Sequence, residues 1–164
     1  MQRLNTLLSI SPKMQEKLEK IERLMQDGYT LTKKKGFIDF RNSSGKPVQV
    51  YAPFNSSPAG FSWIGFFFPF AVCTQIKEWS YFYIAGCWFC ILALLHGITG
   101  YDFNTAGTFG LSLMYGYMFP YLRKIAKDKG IADQPKGQSI FIGILLSIIC
   151  AIPSYIIDIA FGNF

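Results

Sequence analysis

Two ionisable side chains fall inside long apolar runs: His96, near the end of a run from Tyr81 to Thr99, and Asp158, near the end of a run from Ser139 to Ala160. Ionisable groups are costly in hydrocarbon, so by default they mark functional positions there. An imidazole and a carboxylate in contact can relay a proton or hold an ion; near a membrane boundary the same groups also serve as a structural pair or as two solvated helix ends. Asp158 follows Ser154 by four residues on a stripe of small side chains, so it is expected to face its neighbours and to reach His96. The other spacing with chemical content is Cys87-Trp88-Phe89-Cys90, the C-x-x-C of thiol redox centres. On one helix such a pair is geometrically constrained, and no second pair follows. Cys73, Cys87, Cys90 and Cys150 are therefore read as reduced packing residues. One histidine and four scattered cysteines supply no metal-ligand spacing, and no phosphate loop, nucleophile elbow or paired catalytic carboxylates occur. The expectation is a non-enzyme with no catalytic residue, no metal and no cofactor, a redox role for Cys87 and Cys90 being the one exception left open.

The elements that position these groups are apolar helices. With 51% hydrophobic and 17% aromatic residues and a mean hydropathy of +0.25, the 164-residue chain exceeds the apolar content of an ordinary soluble domain. Tyr81 to Thr99, Phe103 to Leu122 and Ser139 to Ala160 are each near the roughly 20 apolar residues a crossing needs. A fourth run, Phe61 to Ile76, is short and carries Gly65 and Pro69. Arg123, Lys124, Lys127, Lys129 and Lys136 crowd the connection before the last run, which the positive-inside rule assigns to the cytoplasm. A full crossing by Phe61 to Ile76 would put the basic N-terminal region opposite that connection, so this run is expected to be an interfacial or half-membrane helix. The fold class is then an α-helical membrane protein with three transmembrane helices plus that half-membrane helix, preceded by a small α+β cytoplasmic region. The expected location is the cell inner membrane, multi-pass, N-terminus cytoplasmic and C-terminus outside.

Residues 1–60 carry ten of the sixteen Lys and Arg and five of the ten acids. No signal peptide is read at the start, because Leu7 to Ile10 is too short for its apolar core. Ser11-Pro12 opens a helix whose stripe is Met14, Leu18, Ile21, Leu24 and Met25, and Asp27-Gly28 ends it. Tyr29 to Thr32, Phe37 to Arg41 and Val48 to Tyr51 read as a small antiparallel meander, with Phe54 to Gly60 as linker. Lys33, Lys34 and Lys35 suit anionic lipid headgroups or a solvated turn, while nucleic-acid binding is not expected, since no basic groove or recognition-helix motif accompanies them. The domains are thus 1–60, 61–79 and 80–164.

Phe61-Ser62-Trp63 and Phe66-Phe67-Phe68-Pro69, an F-S-W-x-x-F-F-F-P run in this chain, with Lys77-Glu78-Trp79 after it, resemble the leading segment of a bacterial domain-of-unknown-function family of small inner-membrane proteins. The resemblance runs from about Phe61 to Lys129 and implies membrane insertion, with no activity to transfer. The family writes a Gly between the last Phe and the Pro and an Asn before a Tyr-rich end of the second crossing, where this chain has Phe68-Pro69 directly and Leu111-Ser112-Leu113.

Small residues recur as Gly86, Cys90, Ala93 and Gly97, and as Gly143, Ser147, Cys150, Ala151 and Ser154, the spacing that lets helices approach in lipid. The second crossing has Ala106 to Gly110 and Ser112 to Gly116, with Pro120 bending its end. Trp63, Trp79, Tyr101 and Tyr121 are expected as interface anchors. The functional expectation is an accessory or scaffolding protein of the inner membrane. It would bind a membrane or cytoplasmic protein partner through Met14, Leu18, Ile21 and Met25. The alternative is a homo-oligomeric pore or transporter component.

Overall fold

A computed structural model describes residues 11–51 and 57–162. The chain start read for a signal peptide and residues 54–56 of the expected linker lie outside the described residues. Helix α1 runs Pro12–Gln26; the Ser11 hydroxyl accepts the Met14 N–H and Pro12 occupies the first helical position. Strands β1 (Thr30–Lys34) and β2 (Phe37–Arg41) pair antiparallel, Lys33 opposite Ile38. Their two-residue turn puts Lys35 and Gly36 both at positive φ, 50° and 88°, the conformation that suits right-twisted strands.

The expected third strand is a single bridge between Arg41 and Pro47. Pro47 has no N–H to extend a ladder, and the Asn42 side chain draws the Ser44 and Lys46 N–H groups into a compact turn instead.

Four helices follow: α2 (Trp63–Phe67), α3 (Pro69–Gln75), α4 (Ser80–Thr99) and α5 (Asn104–Asp128), and the chain closes with α6 (Lys136–Phe161). Two of these, α4 and α6, are long and apolar enough to cross a membrane. The third expected crossing is not supported as such. Helix α5 starts with polar Asn104, Thr105 and Thr108, and from Tyr115 to Lys124 every residue is buried inside the protein. Its apolar content is spent on the chain's own core. By contrast, Phe141, Ile148, Ile152, Ile156 and Ile159 of α6 are each about half exposed or more, an apolar face of the kind that marks contact with a membrane or another protein.

The buried end of α5 is where the N-terminal region sits. Met14, Leu18 and Ile21 of α1, Ile38 and Phe40 of β2, and Met118, Tyr121 and Leu122 of α5 form one cluster. The rings of Phe40 and Tyr121 are 5.5 Å apart. This corrects the expected partner surface: Met14, Leu18 and Ile21 are buried and Met25 packs beside them. A unit of this size buries only a limited core alone; its stripe closes on α5 and is not available to a partner. Tyr121 is corrected too, from interface anchor to core residue: it is fully buried, and its hydroxyl accepts the Ala59 N–H at 3.1 Å.

Helices α2 and α3 form a hairpin broken at Phe68-Pro69. Pro120 has no N–H, so it leaves the Gly116 carbonyl without its helical donor; the Ser62 N–H takes that carbonyl at 2.8 Å. Bare Gly116 gives room to the Phe61 ring, which a Cβ there would meet at 2.3 Å, and a Cβ at Gly65 would stand 2.7 Å from Phe119. From this dock α2 climbs α5 until Phe66 meets Phe109, their rings 5.5 Å apart. Helix α3 then descends α6, from Phe70 beside Gly143 to Gln75, whose carbonyl accepts the Gln134 N–H at 2.9 Å.

One end of the molecule therefore gathers the N-terminal unit, residues 75–80 and residues 123–136. Lys33 bonds Glu78 and Ser80, Arg123 pairs with Asp133, and buried Lys124 pairs with Glu22 at 2.6 Å and with Asp128.

Ile21→Ala should cost about 2–5 kcal/mol. Hydrogen exchange should quicken in β1 and β2 as well as in α1; unchanged exchange in the strands would mean that they do not share this core. Acid and base should also loosen α1 from α5. Lys124 holds the Glu22 carboxyl below its ordinary 4.5, so the stabilisation is complete above that value and lost as pH falls through the depressed one. Burial lowers Lys124, but the Asp128 and Glu22 carboxylates outweigh it and raise the ammonium above 10.5. Its contribution is complete below 10.5 and is lost at higher pH. Glu22→Gln should flatten the acid limb in a proteolysis-against-pH profile.

Candidate functional site

Helices α4 and α6 lie side by side and run parallel, because the contacting pairs keep nearly the same offset in sequence. A Cβ on Gly86 would meet the Cys150 carbonyl at 3.4 Å, and one on Gly97 would meet the Phe161 ring at 2.3 Å. Small residues thus permit the close approach that lipid itself does not drive. Ala93 is buried and Cys90 partly buried on the same helix. The second set divides its work: Gly143 faces the Phe70 backbone of α3, and the Ser147 hydroxyl returns to the Gly143 carbonyl at 2.8 Å.

This approach brings His96 and Asp158 together at the end opposite the N-terminal unit. His96 Nδ1 lies 3.4 Å from Asp158 Oδ1, with each side chain about one-fifth exposed. Neither of these two atoms has a hydrogen bond among the described residues. At that distance a small rotation of either side chain would let the ring N–H donate a hydrogen bond to the carboxylate. The Gly100 N–H caps α4 on the His96 carbonyl, with Gly100 at φ +73°, so the imidazole sits in the last turn before the loop.

Cys87 is exposed and Cys90 partly buried, both free thiols, as are Cys73 and Cys150. Between them Trp88 donates its indole N–H to the Gly107 carbonyl at 3.0 Å, bracing α4 on α5.

The three lysines of the hairpin have separate fates. Lys33 is committed to Glu78 and Ser80, and Lys34 pairs with Asp39 at 2.8 Å. Lys35 is exposed on the turn. That turn rests on the start of α4, where a Cβ at Gly36 would meet Ile84 at 2.7 Å. Trp79, Trp63 and Tyr101 are exposed at 41%, 60% and 72%.

Two features escaped the sequence reading. Asn104, Thr105, Thr108 and Ser112 line an open groove of about 510 Å³ with Phe66, Phe67 and Phe109; the i, i+4, i+8 recurrence of Asn104, Thr108 and Ser112 was its signal. A second cleft, of about 420 Å³, lies between α1 and Ser57–Gly60 and is lined by Lys13, Glu16, Lys17 and Lys20; same-face lysines on α1 were its signal. In it Lys17 Nζ donates to the Ala59 and Phe61 carbonyls at 3.0 and 2.9 Å. Burial, then Lys20, lower its affinity for a proton against a smaller opposing effect of Glu16.

Comparison with protein-family models, with curated proteins and with solved structures finds no match to the chain.

Gly143→Leu should cost about 1–3 kcal/mol by overpacking against the α3 backbone, read as a lower thermal midpoint in detergent. Gly110 has open space around it, so Gly110→Leu should leave the midpoint unchanged or raise it. Equal losses in the two variants would mean that α3 does not lie against α6 as described.

Proposed function

We propose that the protein is a small integral inner-membrane accessory or scaffolding protein that presents a rigid cytoplasmic platform to a protein partner. The observation that carries this reading is the embedding of the N-terminal unit on α5, through Ile21, Phe40 and Tyr121. A tethered recruiting arm would need a linker free of the bundle. Here the unit and the bundle share one core, which suits a scaffold that fixes a partner's orientation to the membrane.

In this reading α4 and α6 cross the bilayer in the same direction, and α5 leads the chain back between them with its buried half packed inside the protein. The hairpin of α2 and α3 enters from the cytoplasmic side and returns to it. Its climb along α5, seven residues from Gly116 to Phe109, is about 10 Å at 1.5 Å per residue, roughly a third of a 30 Å hydrocarbon core. The gathering of Lys33, Arg123, Lys124 and the N-terminal unit at one end supports a cytoplasmic assignment for that end. The partner would read the charged outer face of α1 and the exposed turn at Lys35 rather than the buried stripe.

A second reading, a homo-oligomeric pore or transporter component, is favoured by the His96 and Asp158 contact and by the polar groove on α5. Stoichiometry separates the two. Extraction in a mild detergent, followed by mass determination of the intact particle, should give one or two copies with a different co-purifying protein. A homo-oligomeric ring would overturn the scaffold. Single cysteines in a cysteine-free background test the topology: one at Lys77 should react from the cytoplasmic side and one at Gly162 from outside, and reaction of Lys77 only from outside would reverse the hairpin.

A further inference from the structure

Lys13, Lys17 and Lys20 recur at i, i+4 and i+7 on α1 and converge on one cleft, whose far wall is Ser57, Pro58, Ala59 and Gly60. Among the described lining residues Glu16 is the single acid, and it pairs with Lys20 at 3.3 Å, so these residues carry a net positive charge. Lys17 forms its floor: two of its three N–H donors are spent on the Ala59 and Phe61 carbonyls, and the third remains. Lys13 and Lys20 stand exposed on either side. Gly60 holds the rim open, since at φ +66° it carries no Cβ, and one built there would lie 3.1 Å from Lys17 Nζ.

The position of the cleft decides what anion it meets. Its wall leads directly into Phe61 and Trp63, where the hairpin begins, and Trp63 is 60% exposed. Ala59 is bonded to the Tyr121 hydroxyl, while Ser62 is bonded to the Gly116 carbonyl. Tyr121 lies five residues of α5 beyond Gly116, about 7.5 Å of backbone rise, and its side chain leans back toward Gly116, so the cleft stands at most about that far beyond the level of Ser62. The headgroup layer extends about 5–8 Å beyond the hydrocarbon on each side. If the hydrocarbon boundary lies at the level of Gly116 and Trp63, the lysines fall in the layer that carries lipid phosphates.

We propose that this cleft binds the phosphate-bearing headgroup of an anionic phospholipid of the cytoplasmic leaflet, with Lys13 and Lys20 on the phosphate and Lys17 beneath it. The site rests on the membrane reading above and adds to it a lipid class and a location distinct from the lysine turn at Lys33–Lys35. Bound lipid would clamp α1 to the start of the hairpin, tying the cytoplasmic unit to the bilayer at a second point.

The test uses the full chain in mixed micelles holding equal phosphatidylglycerol and phosphatidylcholine, with retained lipid counted by native mass spectrometry. The wild type should enrich phosphatidylglycerol, and Lys13→Gln/Lys20→Gln should reduce that enrichment about 30-fold, from two basic contacts at a membrane surface. Lys13→Arg/Lys20→Arg should keep it. Equal enrichment in the Gln variant would overturn the site. So would binding of inorganic phosphate in the cleft without phosphatidylglycerol enrichment, which would make the ligand a free phosphate. Alkaline carbonate washing of the same proteins separates the two levels of failure. A chain that stays in the membrane pellet without enriching the lipid refutes the cleft alone; a chain that washes off refutes the membrane reading.

Discussion

A carbonyl left without a donor organises this molecule. Pro120 removes the N–H that would have closed the helical bond on Gly116, and the Ser62 N–H fills the place at 2.8 Å. Gly116 and Gly65 then let the two backbones close, and Phe61 caps the gap. A buried carbonyl without a partner would cost about 1–3 kcal/mol, so the start of the hairpin is held at this point of α5. Everything on either side takes its bearings from there. The linker before Ser62 is drawn to Tyr121, and the hairpin after it is set to climb toward Phe109 and to return along α6.

Helix α5 is consequently a spine with two characters. Its first half is polar and small, with Asn104, Thr105, Thr108 and Gly110 at its surface; its second half is aromatic and buried, from Tyr115 to Leu122, and then carries the paired cations Arg123 and Lys124. The burial of Lys124 is tolerable because two carboxylates from different places, Glu22 and Asp128, meet it. That pairing ties α1 to the spine with a directional contact, where the apolar cluster alone would set only proximity.

The outer pair follows from the same economy of small residues. Gly86 and Gly97 allow α4 and α6 to run parallel at close range, and the chain length between them sets His96 level with Asp158. The end that carries the N-terminal unit is closed by ion pairs, and the opposite end holds the contact of His96 with Asp158. The two ends differ in what they offer: a fixed charged platform on one side and one imidazole–carboxylate contact on the other.

Much of the local structure is legible in the residues themselves. Ser11-Pro12 starts a helix, Lys35-Gly36 turns a hairpin, Phe68-Pro69 breaks a short apolar run, and the apolar runs of α4 and α6 need only length and composition to be recognised. The contact of His96 with Asp158 also follows from spacing, because a small stripe and a shared helix end act over single turns. What the sequence does not determine is which apolar face meets which. The stripe of α1 reads equally well as a docking surface or as half of an internal core, and only the fold shows that Met14, Leu18 and Ile21 close on α5. Likewise, residues 103–122 have the apolar content of a crossing, but hydropathy cannot distinguish side chains facing lipid from side chains buried in protein. Periodicity and propensity act between neighbours in the chain, whereas pairing of faces depends on contacts between residues far apart in sequence, which form only when the whole chain is assembled.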